Sequence, residues 1–148
     1  SSHYGLIISF MGSPMCNPTL AQFVDQRFLY NTWQKKLMLL LEEQQLDLIQ
    51  QGRPRNVLIL VDDIILDSDD QKSLEHLAMR GRHFKVSLMG LSVSWSQFPK
   101  NVRRACDFVF LFSSFSFPLL SDKKEAVMCS LCFVTSRSYV LFSSVEQS

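Results

Sequence analysis

The sequence predicts an α/β fold with three layers and a mostly parallel sheet. Three observations carry that expectation. Short apolar runs at residues 6–10, 57–61, 86–93 and 108–112 alternate with longer stretches of helical character, the order in which parallel strands are joined by covering helices. Residues 57–61 are apolar on both parities, as a central strand buried on both faces requires. With 148 residues, 47% of them hydrophobic and 20% charged, the chain has the length and balance of one domain with a real core.

The elements follow in order. Residues 6–10 read as a buried strand running into a loop that holds Gly12, Pro14 and Pro18. From about residue 20 to residue 51 there is neither proline nor glycine, and Leu37, Leu40, Leu41, Gln44, Leu48 and Gln51 fall near a 3.6-residue period. That spacing predicts a long amphipathic helix, with residues 23–33 as a separate helix at its front and Gly52-Arg-Pro54 as its stop. Ser68-Asp-Asp70 is read as the cap of a helix through Met79, with Leu74, Leu77 and Ala78 facing inward and Gly81 at its end. Residues 86–93 form the next strand, 99–104 a short polar turn or helix, and 108–112 a strand buried on both faces. Residues 123–130 are expected as a helix and 139–142 as a final strand, within a poorly defined tail over 113–148.

Composition narrows the function classes. A net charge of +1 gives the whole chain no field for nucleic acid or membrane, so any such contact needs a local patch. The apolar stretch over 105–120 is broken by Asp107 and serines and falls short of the roughly twenty residues of a membrane helix. The opening residues lack the basic region and long apolar core of a secretory signal. Cys129-Ser-Leu-Cys132 has zinc-knuckle spacing without a second pair; with Cys16 and Cys106 it reads as small buried hydrophobes of a reducing compartment.

The chemistry concentrates where the central strand ends, at Asp62 and Asp63. Ligands of parallel α/β sheets sit at the C-terminal ends of strands, and magnesium takes hard carboxylate oxygens. One acid is thus placed for a metal shell and the other for orienting water; the alternative is that the pair only terminates the strand. Arg80 and Arg82 flank Gly81. They are expected at the same rim as the acids or at a subunit boundary, where guanidinium groups stabilise phosphoryl charge, or else as complements to a helix dipole. His83 reads as a packing or hydrogen-bonding residue rather than a catalyst. Lys100, Arg103 and Arg104, after Trp95 and Phe98, are too few to carry nucleic-acid affinity alone. Asp67, Asp69 and Asp70 read as surface capping. No Gly-x-Ser-x-Gly elbow and no Gly-x-x-x-x-Gly-Lys-Ser/Thr phosphate loop occurs in the sequence.

Val57-Leu-Ile-Leu-Val-Asp-Asp63, Arg80-Gly-Arg-His83, Val86-Ser-Leu-Met-Gly-Leu-Ser92, Phe98-Pro99, Arg103 and Phe108-Val-Phe-Leu-Phe112 stand in an order that resembles the FtsK–HerA superfamily. Within it, the chain is most similar to DNA-packaging ATPases of poxviruses, other large DNA viruses and Maverick-type elements. The likeness covers residues 57–112, with weaker agreement at the strand near Leu6. It implies a partial RecA-like P-loop NTPase core lacking the phosphate-loop strand, in a single partial domain over 1–148. By the resemblance Asp62 is the Walker B acid of the magnesium shell, Asp63 the water-activating acid, and Arg80 or Arg82 an inter-subunit finger. The implied cofactors are Mg2+ and ATP. The implied partners are double-stranded DNA and a homo-oligomeric ring, with no membrane, at an intracellular site of virion assembly in host cytoplasm or nucleus. Where the family places a Gln after the next strand, this sequence has Val93, with Gln97 further on. The expectation is therefore an N-terminally truncated or degenerate relative, or else a catalytically inactive α/β module for interaction or assembly.

Overall fold

The structure is a computed structural model that describes residues 3–12, 22–92, 95–113 and 129–135. Its strands are β1 (Leu6–Met11), β2 (Leu29–Tyr30), β3 (Val57–Asp62), β4 (Val86–Ser92), β5 (Phe108–Ser113) and β6 (Cys129–Thr135). Its α-helices are α1 (Lys35–Gln50), α2 (Ser68–Arg80) and α3 (Lys100–Arg104). The strands form one sheet in the order β2-β1-β3-β4-β6-β5, with β2, β1, β3 and β4 mutually parallel and β6 antiparallel to both neighbours. The class is mixed α/β with a four-strand parallel block.

β3 is the central strand the sequence predicts: Val57 to Val61 are all buried, between β1 and β4. Register aligns Ile8, Ile59 and Leu88 across the three strands. On that face they join Met38 and Leu41 of α1, Leu74 and Leu77 of α2 and Val102 of α3 in one cluster. Leu58, Leu60 and Met89 face the other way and are met by Val24, Tyr4 and Phe28. The described helices thus share one face of the sheet. The steps from β2 to β3 and from β3 to β4 run the same way across the sheet, and right-handed crossovers place both helices on the same side.

The front of the expected long helix is a different structure. Gln26–Phe28 is a 3-10 turn opened by Asp25 and followed by β2, so α1 begins only at Lys35. Its buried residues are Met38, Leu41 and Gln45, while Leu40 and Gln44 are exposed. The apolar run Leu37 to Leu41 offers more than one helical phase, and the hydrogen bonds of Gln45 select among them. Gln45 is 2% exposed, and its Nε2 donates to the carbonyls of Arg55 at 2.6 Å and Phe84 at 2.8 Å. One side chain thereby ties the entries of β3 and β4 to α1. The helix stops as predicted: Gly52 takes φ +69°, its N–H donates to Ile49 and that of Arg53 to Leu48.

Further along, the cap of α2 is Asp67, one residue before the predicted one. Its carboxylate accepts from the N–H groups of Asp69 at 2.8 Å and Asp70 at 2.7 Å. β5 is not buried on both faces, since Phe108 is 41% and Val109 45% exposed. It sits at the sheet edge because β6 intervenes between it and β4. Cys129 and Ser130, expected to end a helix, open β6 instead. Cys129 and Cys132 lie within one extended strand, so the turn of a zinc knuckle is not formed. The strand expected over 139–142 and most of the 123–130 helix fall outside the described residues.

Candidate functional site

The parallel block delivers its strand ends to one rim. Between β1 and β3 the strand order reverses: β1 leads leftward to β2, β3 rightward to β4. Such reversal points are where parallel sheets open a crevice for ligands. Here β1 and β3 end side by side, with Met11 paired with Asp62, and the turn after β3 follows. The Gly12 N–H donates to the Asp62 carbonyl at 3.0 Å. A Cβ on Gly12 would stand 2.1 Å from the Asp63 carbonyl oxygen, so only glycine lets the two chains approach this closely.

Asp63 makes the turn by adopting φ +47°. The left-handed region is uncommon for a side-chain-bearing residue, although aspartate tolerates it better than most. Backbone held in this region is concentrated at functional sites. The turn also separates the two acids. Strand alternation sets Asp62, half-buried, on the side of Leu58 and Leu60, whereas Asp63 is exposed in a groove on the helix side. That groove is small and open to solvent, and is lined by Val61, Asp63, Ile64, Leu66, Leu91, Gln97 and Phe98.

Gln97 is the residue linear spacing undervalues. Beyond β4, Trp95–Gln97 form a 3-10 turn that brings the chain back on itself. The Ser92 hydroxyl at the end of β4 donates to Gln97 Oε1. The carboxamide is thus anchored at a strand end through its oxygen, with its amide hydrogens left for the groove that Asp63 lines. Val93, the position the resemblance marks for this Gln, falls outside the described residues. The signal in the sequence was the pair of a hydroxyl ending β4 and an amide five residues on.

Arg80 and Arg82 are not at this rim. α2 starts beside Asp63 and runs antiparallel to β3, about 20 Å over its 13 residues, so its last turn reaches the opposite edge of the sheet. There Gly81–Phe84 forms a 3-10 turn that leads, through Lys85 at φ +60°, into the first residue of β4. The shared-rim expectation is therefore corrected: helix direction separates the arginines from the acids by the length of β3, about 17–20 Å. His83 is exposed on the same turn, not packed. Its neighbour Phe84 is the buried residue, with the His76 ring stacked against it at 6.5 Å.

The acidic rim is locally structured. The Lys72 ammonium, 3.1 Å from Asp69, holds that carboxyl below its ordinary range, while burial, with Asp67 nearby, raises that of Asp70. Asp67, Asp69 and Asp70 serve the helix start, as the sequence reading has them. Among the described residues no group of three or more His, Cys, Asp or Glu is placed to enclose a metal ion. Among them, too, no helix is long and apolar enough to cross a membrane. Compared with known proteins, the chain matches no family model, no curated protein and no solved structure.

Proposed function

We propose that this chain is part of a nucleotide-hydrolysing core of the DNA-packaging ATPase type, in which Asp62 and Asp63 serve a magnesium–ATP complex. The observation that carries the reading is the placement of both acids at the C-terminal end of β3, at the reversal point of a parallel sheet, with Gln97 in the same groove as Asp63. Magnesium is commonly held by one or two carboxylates, with phosphate oxygens and waters completing its shell, and that is the donor set this rim offers. Asp62 would hold the ion. Bound there, magnesium would neutralise charge on the transferring phosphoryl group. Asp63, on the exposed turn, would orient the attacking water, and the Gln97 amide would donate to a phosphate oxygen. The sequence holds no Gly-x-x-x-x-Gly-Lys-Ser/Thr loop, so the remaining phosphate contacts are assigned to residues beyond these 148 or to a neighbouring copy. Arg80 and Arg82, at the far rim, would meet a nucleotide only on a neighbouring copy, as in a ring that moves double-stranded DNA.

A second reading has its own observation. Leu39, Leu40 and Leu46 are exposed on α1, which suits a catalytically inactive module that binds another protein. Manganese titration with ATP, read by loss of the free-ion EPR signal, and a phosphate-release assay separate the two. Under the first reading Asp62→Asn weakens ion retention about tenfold or more, equivalent to about 1.4 kcal/mol. Asp63→Asn abolishes release and leaves retention intact. Retention unchanged in Asp62→Asn would sink the metal assignment, and a wild-type chain that neither retains the ion nor releases phosphate favours the interaction module.

A further inference from the structure

The edge of the sheet opposite the acids is unusual in its charge. Three segments meet there, and backbone bonds fix them side by side. The Gly5 N–H donates to the Asn56 carbonyl at 2.9 Å, and the Val57 N–H to that of Lys85 at 3.0 Å. The Gln45 amide nitrogen holds the carbonyls of residues 55 and 84 together. This scaffold presents Arg53 and Arg55 from the loop before β3, and Arg80, Arg82 and Lys85 from the turn before β4. All five are exposed. None is in an ion pair with a described residue, although the molecule has carboxylates enough to pair them. Along these elements the nearest acids in sequence are Glu75, which accepts from Asn101 at 3.1 Å, and Asp47 on the last turns of α1.

Five unpaired cations on a clamped base, in a chain of net charge +1, form a local patch the composition conceals. We infer that this N-terminal edge binds the phosphate backbone of nucleic acid. Four of the five are arginines, whose planar forks match phosphate oxygens. Arg53 and Arg55 lie two residues apart on one segment, and the second group lies one strand spacing, about 4.8 Å, away on the next. The cations therefore come from neighbouring segments of one edge. Protein-binding surfaces centre instead on aromatic and aliphatic anchors; the large apolar side chains exposed on these elements are Met79 and Leu46, against five cations. The patch stands independently of the acidic rim and of whether that rim hydrolyses ATP.

The test is anisotropy of a labelled 20-base-pair duplex of arbitrary sequence, titrated with the chain between 50 and 200 mM salt. Contacts from four or five cations give a slope of log K against log salt of about −4. The doubly neutral variant Arg53→Gln, Arg55→Gln flattens that slope by nearly two. These two arginines are chosen because, unlike Arg80 and Arg82, they have no assigned part at a neighbour's nucleotide. The matched control Lys35→Gln, Lys36→Gln, with the same loss of charge at the acidic rim, keeps the slope. Absence of binding at 50 mM salt overturns the inference. So does a slope unchanged by the arginine pair, an equal change in the control, or tighter capture of a polyglutamate competitor than of the duplex.

Discussion

Replacing Gln45 by leucine tests the tie between α1 and the sheet. The substitution keeps side-chain size close and removes the one nitrogen that satisfies two carbonyls. The Phe84 oxygen is buried and loses its donor outright; the Arg55 oxygen is part-buried and is open to partial rescue by water. A buried acceptor left without a partner costs about 1–3 kcal/mol, and the half-exposed one falls at the lower end of that range. Leucine returns some apolar burial, so the net loss is about 1–3 kcal/mol, a large part of a typical total of about 5–15 kcal/mol. In urea, with a slope near 2 kcal/mol/M, the midpoint falls by about 0.5–1.5 M. Gln44→Leu, one position away and exposed, shifts it by less than about 0.3 M. Gln45→Glu adds a signature in pH. An acceptor facing two acceptors is held protonated, so its folded pKa is raised above about 4.3. Its stability is present below the unfolded pKa and lost as pH rises through the raised folded value. Equal midpoints for the Gln44 and Gln45 leucine variants would refute the reasoning.

Two further outcomes are expected. Gly12→Ala drives a Cβ to 2.1 Å from the Asp63 carbonyl, so the turn after β3 must move; destabilisation of about 1–3 kcal/mol by chemical denaturation is expected, and none would mean the close approach is not maintained in solution. The Cys106 thiol is pushed up to about 12 by burial and by Asp107, and its Sγ donates to the Val102 carbonyl at 3.2 Å. Peptide mapping after iodoacetamide at pH 8 should find Cys106 largely unmodified in the folded chain and modified in urea, and rapid native labelling would contradict its burial.

The core was legible because its signals are local. Val57 to Val61 could be read as a central strand from parity alone, and the acids at its end followed from strand direction. Gly52 marked its helix stop because only a left-handed residue closes that motif. What escaped the sequence depends on contacts far apart in the chain. The phase of α1 is set by carbonyls of residues 55 and 84, which no helical periodicity contains. β6 pairs with β4 and β5 on both sides, and its first two residues read as the end of a helix because those partners lie far away in the chain. Of the two places expected for Arg80 and Arg82, the rim of the acids was wrong because spacing along a chain carries no direction, whereas a helix following a parallel strand must run back. Gln97 was set aside for lying four residues beyond a linear match, and its bond from Ser92 and its place beside Asp63 are contacts that linear spacing does not contain.

The separation of acids and arginines onto opposite rims also constrains symmetry. A surface that pairs with itself about a two-fold axis must carry both halves of each contact. The two rims are unbalanced in opposite senses: one gathers Asp62, Asp63, Asp67, Asp69 and Asp70 around Lys35 and Lys72, the other Arg53, Arg55, Arg80, Arg82 and Lys85. Any association driven by their attraction is head-to-tail, and such contacts are heterologous. They close into a ring when the rotation between successive copies divides a full turn, and otherwise run on as a filament. The angle between rims, more than the strength of their attraction, decides which.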